Sequence, residues 1–240
     1  PIFYKLVSDR CAPKEEILNN ILYFNDINEL RTNNIKKVFK SSQYNLNITN
    51  IDFLKGISAS LPAGEIEESC GDHFFPIPAG GTGRFDLVVA NPPYAKLLKN
   101  GKRASKNHNM IKLFIQKALD LLKKEGYILF LVPDNWMSKS DRNKLIEELT
   151  SLQIIYLNLY TAKEYFPSIG SSFTWFVIQK KPASESGSPI KVEGVWKKQK
   201  YSSFVNSRTR KFIPQFFNTM IDSICLKTLE NDKLAKFKIE

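Results

Sequence analysis

The sequence predicts an α/β protein with a mixed, mostly parallel sheet covered by helices on both faces. Short apolar runs bounded by polar or turn residues, at Ile21 to Phe24, Leu87 to Ala90, Ile128 to Val132 and Phe173 to Ile178, read as buried strands. Helical periodicity fills the gaps between them. A chain of 240 residues that is 42% hydrophobic can bury one core and an appendage, rather than several modules.

Taken in order, the strand at Ile21 to Phe24 comes first, and the pattern then lapses between Gly56 and Gly83 into Gly, Pro, Ser and acidic residues. That stretch reads as a loop or insertion. Its Gly80-Gly81-Thr82-Gly83 cluster precedes a strand instead of opening a helix, so it is a turn and not a phosphate cradle. Met110 to Leu122 places Ile111, Phe114, Ile115, Ala118, Leu119 and Leu122 on one helical face, and Lys123-Lys124-Glu125-Gly126 offers a basic last turn with a glycine stop. A further helix is expected from Asp141 to Leu152. Pro182 to Pro189 breaks the alternation and marks a domain edge or an exposed hairpin. The expected division is residues 1–185 as one domain and 186–240 as a linker leading into another region. No internal repeat is evident.

Lys and Arg number 35 against 24 Asp and Glu, a formal charge of +11 that points to a polyanionic partner. Between Asp86 and Asp120 no acidic residue interrupts Lys96, Lys99, Lys102, Arg103, Lys106, Lys112 and Lys117, and a second basic stretch includes Lys197, Lys198, Lys200, Arg208, Arg210 and Lys211. Solvated charged faces are the alternative reading of both. The longest strongly apolar stretch, Tyr127 to Val132, is too short to cross a bilayer, and the N-terminus carries no secretory pattern, so no membrane partner and a cytoplasmic location are expected. Cys11, Cys70 and Cys225 are widely spaced without CxxC pairs, and His73 and His108 are isolated. Neither a disulfide framework nor a metal centre is expected from them.

The chemistry concentrates in Phe85-Asp86-Leu87-Val88-Val89-Ala90-Asn91-Pro92-Pro93-Tyr94, an apolar strand that delivers an amide, two prolines and an aromatic to its carboxyl end. Ligands of open α/β sheets bind at that end. Pro93 biases Pro92 toward an extended conformation, so the Pro92 carbonyl points in a narrow range of directions. Asn91 adds a second acceptor through its side-chain oxygen, and the pair can receive both hydrogens of an exocyclic amino group. An adenine amino nitrogen is a poor nucleophile because its lone pair is delocalised into the ring. Two oriented acceptors would localise that pair and stabilise the positive charge that develops on methylation. Tyr94 offers a surface for stacking a base rotated out of a duplex. An ordinary turn after a strand is the plainer reading of the same tetrapeptide.

From about Leu18 to Lys181 the sequence resembles the amino-methyltransferases of restriction-modification systems, especially the adenine-specific (N6) type II enzymes with an Asn-Pro-Pro-Tyr motif. The resemblance implies a Rossmann-like fold that uses S-adenosylmethionine and acts on double-stranded DNA, with a restriction nuclease as an added domain or subunit. It implies that Asp26, ending a strand, holds the cofactor ribose hydroxyls, and that Ile27 packs on the adenine ring. Asp52 would accept from the cofactor's adenine amino group, with Phe53 against its ring. Phe114 would line the methionine side, or else fill a core position. Glu164-Tyr165-Phe166-Pro167 resembles the family's element whose aromatic faces the flipped adenine; Phe166 fits best and Tyr165 second. Trp136, after the strand at Gly126 to Val132, is read as packing. Lys96, Lys99, Lys102, Arg103 and Lys106 would contact DNA phosphates, and residues 186–240 would lead into a target-recognition region.

One departure stands out. The family's first motif, a glycine-containing loop after the first strand, is not found, and Pro1 to Ser8 looks like the helix that follows it. A fragment lacking that strand and loop, with weak cofactor binding, is the expectation. Two rivals share parts of the pattern: an RNA or protein-glutamine methyltransferase with the same tetrapeptide, and a noncatalytic DNA-binding or specificity subunit on a degenerate methyltransferase fold.

Overall fold

A computed structural model describes residues 2–9, 12–54, 83–94, 109–138, 144–168, 172–183 and 189–228. The chain divides into two compact units, Pro1–Pro76 and Ile77–Glu240. In the first, α1 (Ile2–Ser8) precedes a short helix α2 (Lys14–Glu16), which runs into a π-turn at Ile17–Ile21. Pro13, extended at φ −57° and ψ 147°, starts α2 where a missing N–H costs nothing. The π-turn buries Ile17 and Leu18 against Leu6, Ala12, Leu22, Phe39, Tyr44 and Leu46. Because Ile17 accepts the Leu22 N–H at 2.9 Å, Ile21 is still helical, and the first strand begins later than its apolar run suggested. That strand, β1 (Tyr23–Asn25), pairs in parallel with β2 (Asn47–Thr49) across helix α3 (Glu29–Val38). The Asn28 side chain caps α3 by accepting from the Leu30 N–H, with Glu29 in the first turn and Lys36 and Lys37 in the last, the polarity a helix dipole favours.

The second unit is built on a six-stranded sheet in the order β3-β4-β6-β5-β7-β8, where β3 is Phe85–Ala90, β4 Leu122–Pro133, β5 Leu152–Leu159, β6 Phe173–Pro182, β7 Ile190–Trp196 and β8 Gln199–Val205. Among the described residues three α-helices accompany it: α4 (Asn109–Leu121), α5 (Leu145–Thr150) and α6 (Thr219–Thr228). Alternation along β4 buries Ile128, Phe130 and Val132, and β6 answers with Phe176 and Ile178. The Phe130 and Phe176 rings stack at 6.3 Å, and Trp136 meets Phe176 edge-on while its indole N–H donates to Thr174 at 2.8 Å. Trp136 is therefore packing, as its sequence context suggested. Helix α4 seals the core with Ile111, Ile115, Ala118 and Leu121.

Several expectations need correction. The α/β class and the mixed sheet stand, but fewer of its pairs are parallel than expected: β3–β4 and β5–β7 are parallel, whereas β4–β6, β5–β6 and β7–β8 are antiparallel. Strand β6 lies between β4 and β5 and runs against both, which sets those two strands in one direction. Strand β3 is not buried on both faces, since Leu87 and Val89 are 43% and 47% exposed. Lys123 to Gly126 is no helical turn. Because Phe85 pairs with Leu122 and Leu87 with Tyr127, those four residues bulge out opposite Asp86, with Glu125 at φ 63° and Lys123 bonded to both Asp86 oxygens at 2.9 Å. Of the helix expected from Asp141 to Leu152, α5 covers Leu145–Thr150, Leu152 already opens β5, and 141–143 lie outside the described residues. Pro182 to Pro189 closes no hairpin between its flanking strands, because β5 lies between β6 and β7.

Candidate active site

Strands β3, β4 and β5 share one direction, since β3 is parallel to β4 and both β4 and β5 run against β6. Their carboxyl ends thus lie along one edge of the sheet, and Asn91 stands at the end of β3. Asn91 and Pro93 are exposed, Pro92 is buried and Tyr94 is half-buried. The Tyr94 hydroxyl donates to Asn91 Oδ1 at 2.5 Å, and the Tyr94 ring leans on Phe173 with centroids 5.5 Å apart. Burial pushes the Tyr94 phenol above its ordinary pKa, which keeps the proton that makes it a donor. The carboxamide is thereby oriented: a carbonyl oxygen has two lone pairs, and one bond from Tyr94 leaves the other for an incoming N–H.

Two features of this corner were not anticipated from sequence. The Tyr94 hydroxyl fixes Asn91, in addition to any stacking by its ring. The ring against Tyr94 belongs to Phe173, the first residue of β6, whose aromatic character was visible but read only as part of a strand. Phe166 lies elsewhere on the same edge, after the 3-10 turn Thr161–Glu164 that follows β5, and is 40% exposed; among the described residues it makes no ring contact with Tyr94. Its backbone N–H is held by the Ala162 carbonyl at 3.1 Å, while Tyr165 is 76% exposed. Phe114 is half-buried on α4.

Within the first unit, Asp26 follows β1 directly and Asp52 lies just beyond β2, so two carboxylates sit past the carboxyl ends of adjacent parallel strands. Asp26 accepts the Asn28 N–H at 2.8 Å on one oxygen and Arg31 at 3.2 Å on the other. Asp52 accepts the Leu54 N–H at 3.0 Å. Ile27 is 68% exposed and Phe53 half-buried. A carboxylate has about four lone-pair positions, so the two bonds to Asp26 leave room for a diol. Exposed Ile27 adds an apolar face. The set therefore suits the ribose and adenine of S-adenosylmethionine in kind.

Lys96, Lys99, Lys102, Arg103 and Lys106 lie outside the described residues, as do His73, His108, Cys11 and Cys70. Lys112, the next to last cation of that basic run, is not a free phosphate-binding charge: it pairs with Glu148 at 3.2 Å and ties α4 to α5. In the second basic stretch Arg210 is 1% exposed and, with Arg208, grips Asp222, while its guanidinium lies 4.8 Å from the Phe217 ring. Sequence charge counting gave no sign of that burial. Among the described residues no helix is long and apolar enough to cross a membrane.

No curated protein matches the chain. Among solved structures, DrdV in its complex with DNA is 15% identical, with a TM-score of 0.52 over 89% of this chain and 23% of that one. A nuclease-deletion mutant of the Type ISP restriction-modification enzyme LlaGI, in complex with a DNA substrate mimic, is 14% identical with a TM-score of 0.52, covering 81% of this chain and 23% of that one. The ATP-dependent Type ISP restriction-modification enzyme LlaBIII, bound to DNA, is 14% identical with a TM-score of 0.50, covering 81% and 16%. At these identities the likeness is one of fold, and the chain spans less than a quarter of each of those proteins. The family model described as Eco57I restriction-modification methylase matches residues 10–163, a span that includes the π-turn, the Asn-Pro-Pro-Tyr corner and β5. With well over half its length matched, the chain belongs to the Eco57I restriction-modification methylase family.

Proposed function

We propose that this chain is the catalytic part of a site-specific DNA adenine-N6 methyltransferase, the modification component of a restriction-modification system. The carrying observation is the carboxamide of Asn91, oriented by the Tyr94 hydroxyl at the carboxyl end of β3. Asn91 Oδ1 and the Pro92 carbonyl take the two hydrogens of the adenine amine. They draw its lone pair out of conjugation and offset the charge formed on nitrogen. Tyr94 and Phe166 hold the extruded base, and Pro93 keeps Pro92 extended. Bound S-adenosylmethionine supplies an electrophilic methyl group. Asp26 and Asp52 hold its ribose and adenine, Ile27 and Phe53 contact the ring, and Phe114 lines the methionine side. Lys96, Lys99, Lys102, Arg103 and Lys106 contact DNA phosphates, with a nuclease on the same polypeptide or on a partner subunit. The family assignment and the DNA carried by the three solved relatives support this reading.

The test is methyl transfer from labelled S-adenosylmethionine by the full-length protein to duplex DNA, structured RNA or a glutamine-bearing protein. Label is expected in DNA, at adenine N6. Asn91→Ala should lower kcat by roughly 100-fold or more, as loss of one preorganised transition-state partner does. Its cofactor affinity should stay unchanged. Label found in RNA or protein, or an Asn91→Ala protein of normal turnover, overturns the proposal.

A further inference from the structure

In the first unit Asp26 and Asp52 stand on separate loops, each past a strand of only three residues, β1 and β2. So few ladder bonds hold a two-stranded pair weakly, and the loops beyond it would be free to part. Side chains take over where the ladder stops. Asn25 and Thr49, the last residues of the two strands, face each other in register, and the Thr49 hydroxyl donates to Asn25 Oδ1 at 2.9 Å. The same oxygen accepts the Ile51 N–H at 3.3 Å, so the residue before Asp52 is tied to the residue before Asp26. A return bond comes from the other loop: Asn50 Nδ2 donates to the Asp26 carbonyl at 2.5 Å, and the Asp26 N–H donates to the Thr49 carbonyl at 3.4 Å.

These partners also fix which way each amide points. Ile51 offers an N–H, so Asn25 turns its oxygen to it; Asp26 offers a carbonyl, so Asn50 turns its nitrogen. Both main-chain polar groups of Asp26 are thus held from the β2 side, whereas its carboxylate is held within its own segment by the Asn28 N–H and by Arg31. Asn50 is exposed and fills no core, so what its amide does is set the separation of two loops. A nucleoside that reaches both carboxylates spans those loops. If they moved independently, binding would have to order one against the other, and the affinity would fall accordingly. Loops tied to each other on folding have already lost that freedom.

We propose that Asn25 and Asn50 are positioning residues for the cofactor: they lock the Asp26 and Asp52 loops into one clamp at the spacing a nucleoside spans, without touching it. This rests on the reading that Asp26 and Asp52 hold S-adenosylmethionine. The test is calorimetric binding of S-adenosylmethionine to the full-length protein, with a urea midpoint measured for every variant to establish that it is folded.

Asn50→Ala and, separately, Asn25→Ala should each weaken binding about two- to twelvefold, the span of an ordinary hydrogen bond, with Asn25→Ala toward the upper end because it loses two. Asp26→Ala should also bind more weakly than wild type. In that background Asn50→Ala should weaken binding no further, because the tie acts only through the placing of the Asp26 carboxylate. A merely structural amide would instead lower the urea midpoint and leave the affinity of the folded protein alone. Unchanged affinity in both asparagine variants, or an equal loss from Asn50→Ala with and without the Asp26 carboxylate, overturns the proposal while the cofactor reading stands. No binding by wild type, or an Asp26→Ala protein that binds as tightly as wild type, removes both together.

Discussion

At the scale of single residues, the bond from Tyr94 to Asn91 separates two roles that one aromatic side chain combines. The ring stacks, while the hydroxyl holds the amide plane. Tyr94→Phe keeps the ring and its packing on Phe173 but frees the carboxamide to turn. An ordinary neutral hydrogen bond is worth about 1 kcal/mol net, so a roughly fivefold fall in kcat is expected, with KM for DNA unchanged. Steady-state methylation kinetics check it; a rise in KM at constant kcat would show that the hydroxyl serves binding instead. The place of Asn91 at the end of a strand was legible because two prolines follow it and an apolar run precedes it, a local pattern. Phe173 was not, since only the antiparallel return of β6 brings it to Tyr94. Arg210 was hidden for the same reason: its partner Asp222 arrives from a helix in a later segment.

Elements were legible where their periodicity was local and uninterrupted. Helix α4 carries its apolar face at helical spacing and forms where expected, apart from its last residue. Its end was misread because the signal usually sought there, a basic turn closed by glycine, was spent on a bulge in β4. The cause lies in a different glycine. Gly83 passes so close to the backbone between Leu121 and Leu122 that a Cβ would overlap the Leu122 carbonyl, and the Arg84 N–H donates to the Leu121 carbonyl at 2.8 Å. This approach captures the chain as α4 finishes and starts β3–β4 pairing at once. Gly83→Ala must therefore push backbone from backbone, with no flexible side chain to yield. A loss of about 1–3 kcal/mol is expected, the usual cost of overpacking, read as a lower urea midpoint at unchanged slope. An unaltered midpoint would show that the two segments separate without cost. Strand directions were the least legible feature, because alternation reveals which face a strand buries but not the sense in which its neighbour runs.

For the whole molecule the governing quantity is charge and where it remains unspent. Of the formal +11, Arg208 and Arg210 are committed to Asp222, and Lys112 to Glu148, so these cations hold the fold together rather than meeting a partner. Lys96, Lys99, Lys102, Arg103 and Lys106 follow the Asn91 corner in a stretch without acidic residues. If each of the five neutralises one phosphate, counterion release gives a slope of log K against log salt of about −4.5 for duplex DNA. Replacing all five by glutamine should flatten that slope toward zero and weaken binding to every sequence alike, because phosphates carry no base identity. Turnover at saturating DNA should change little, since a phosphate contact made equally in the ground and transition states lowers KM without raising kcat. The measurement is a salt titration of duplex affinity for the wild type and the fivefold variant, at two unrelated sequences. Equal slopes in the two proteins would place the DNA elsewhere on the surface, with the Lys197 to Lys200 turn between β7 and β8 as the next basic stretch to substitute.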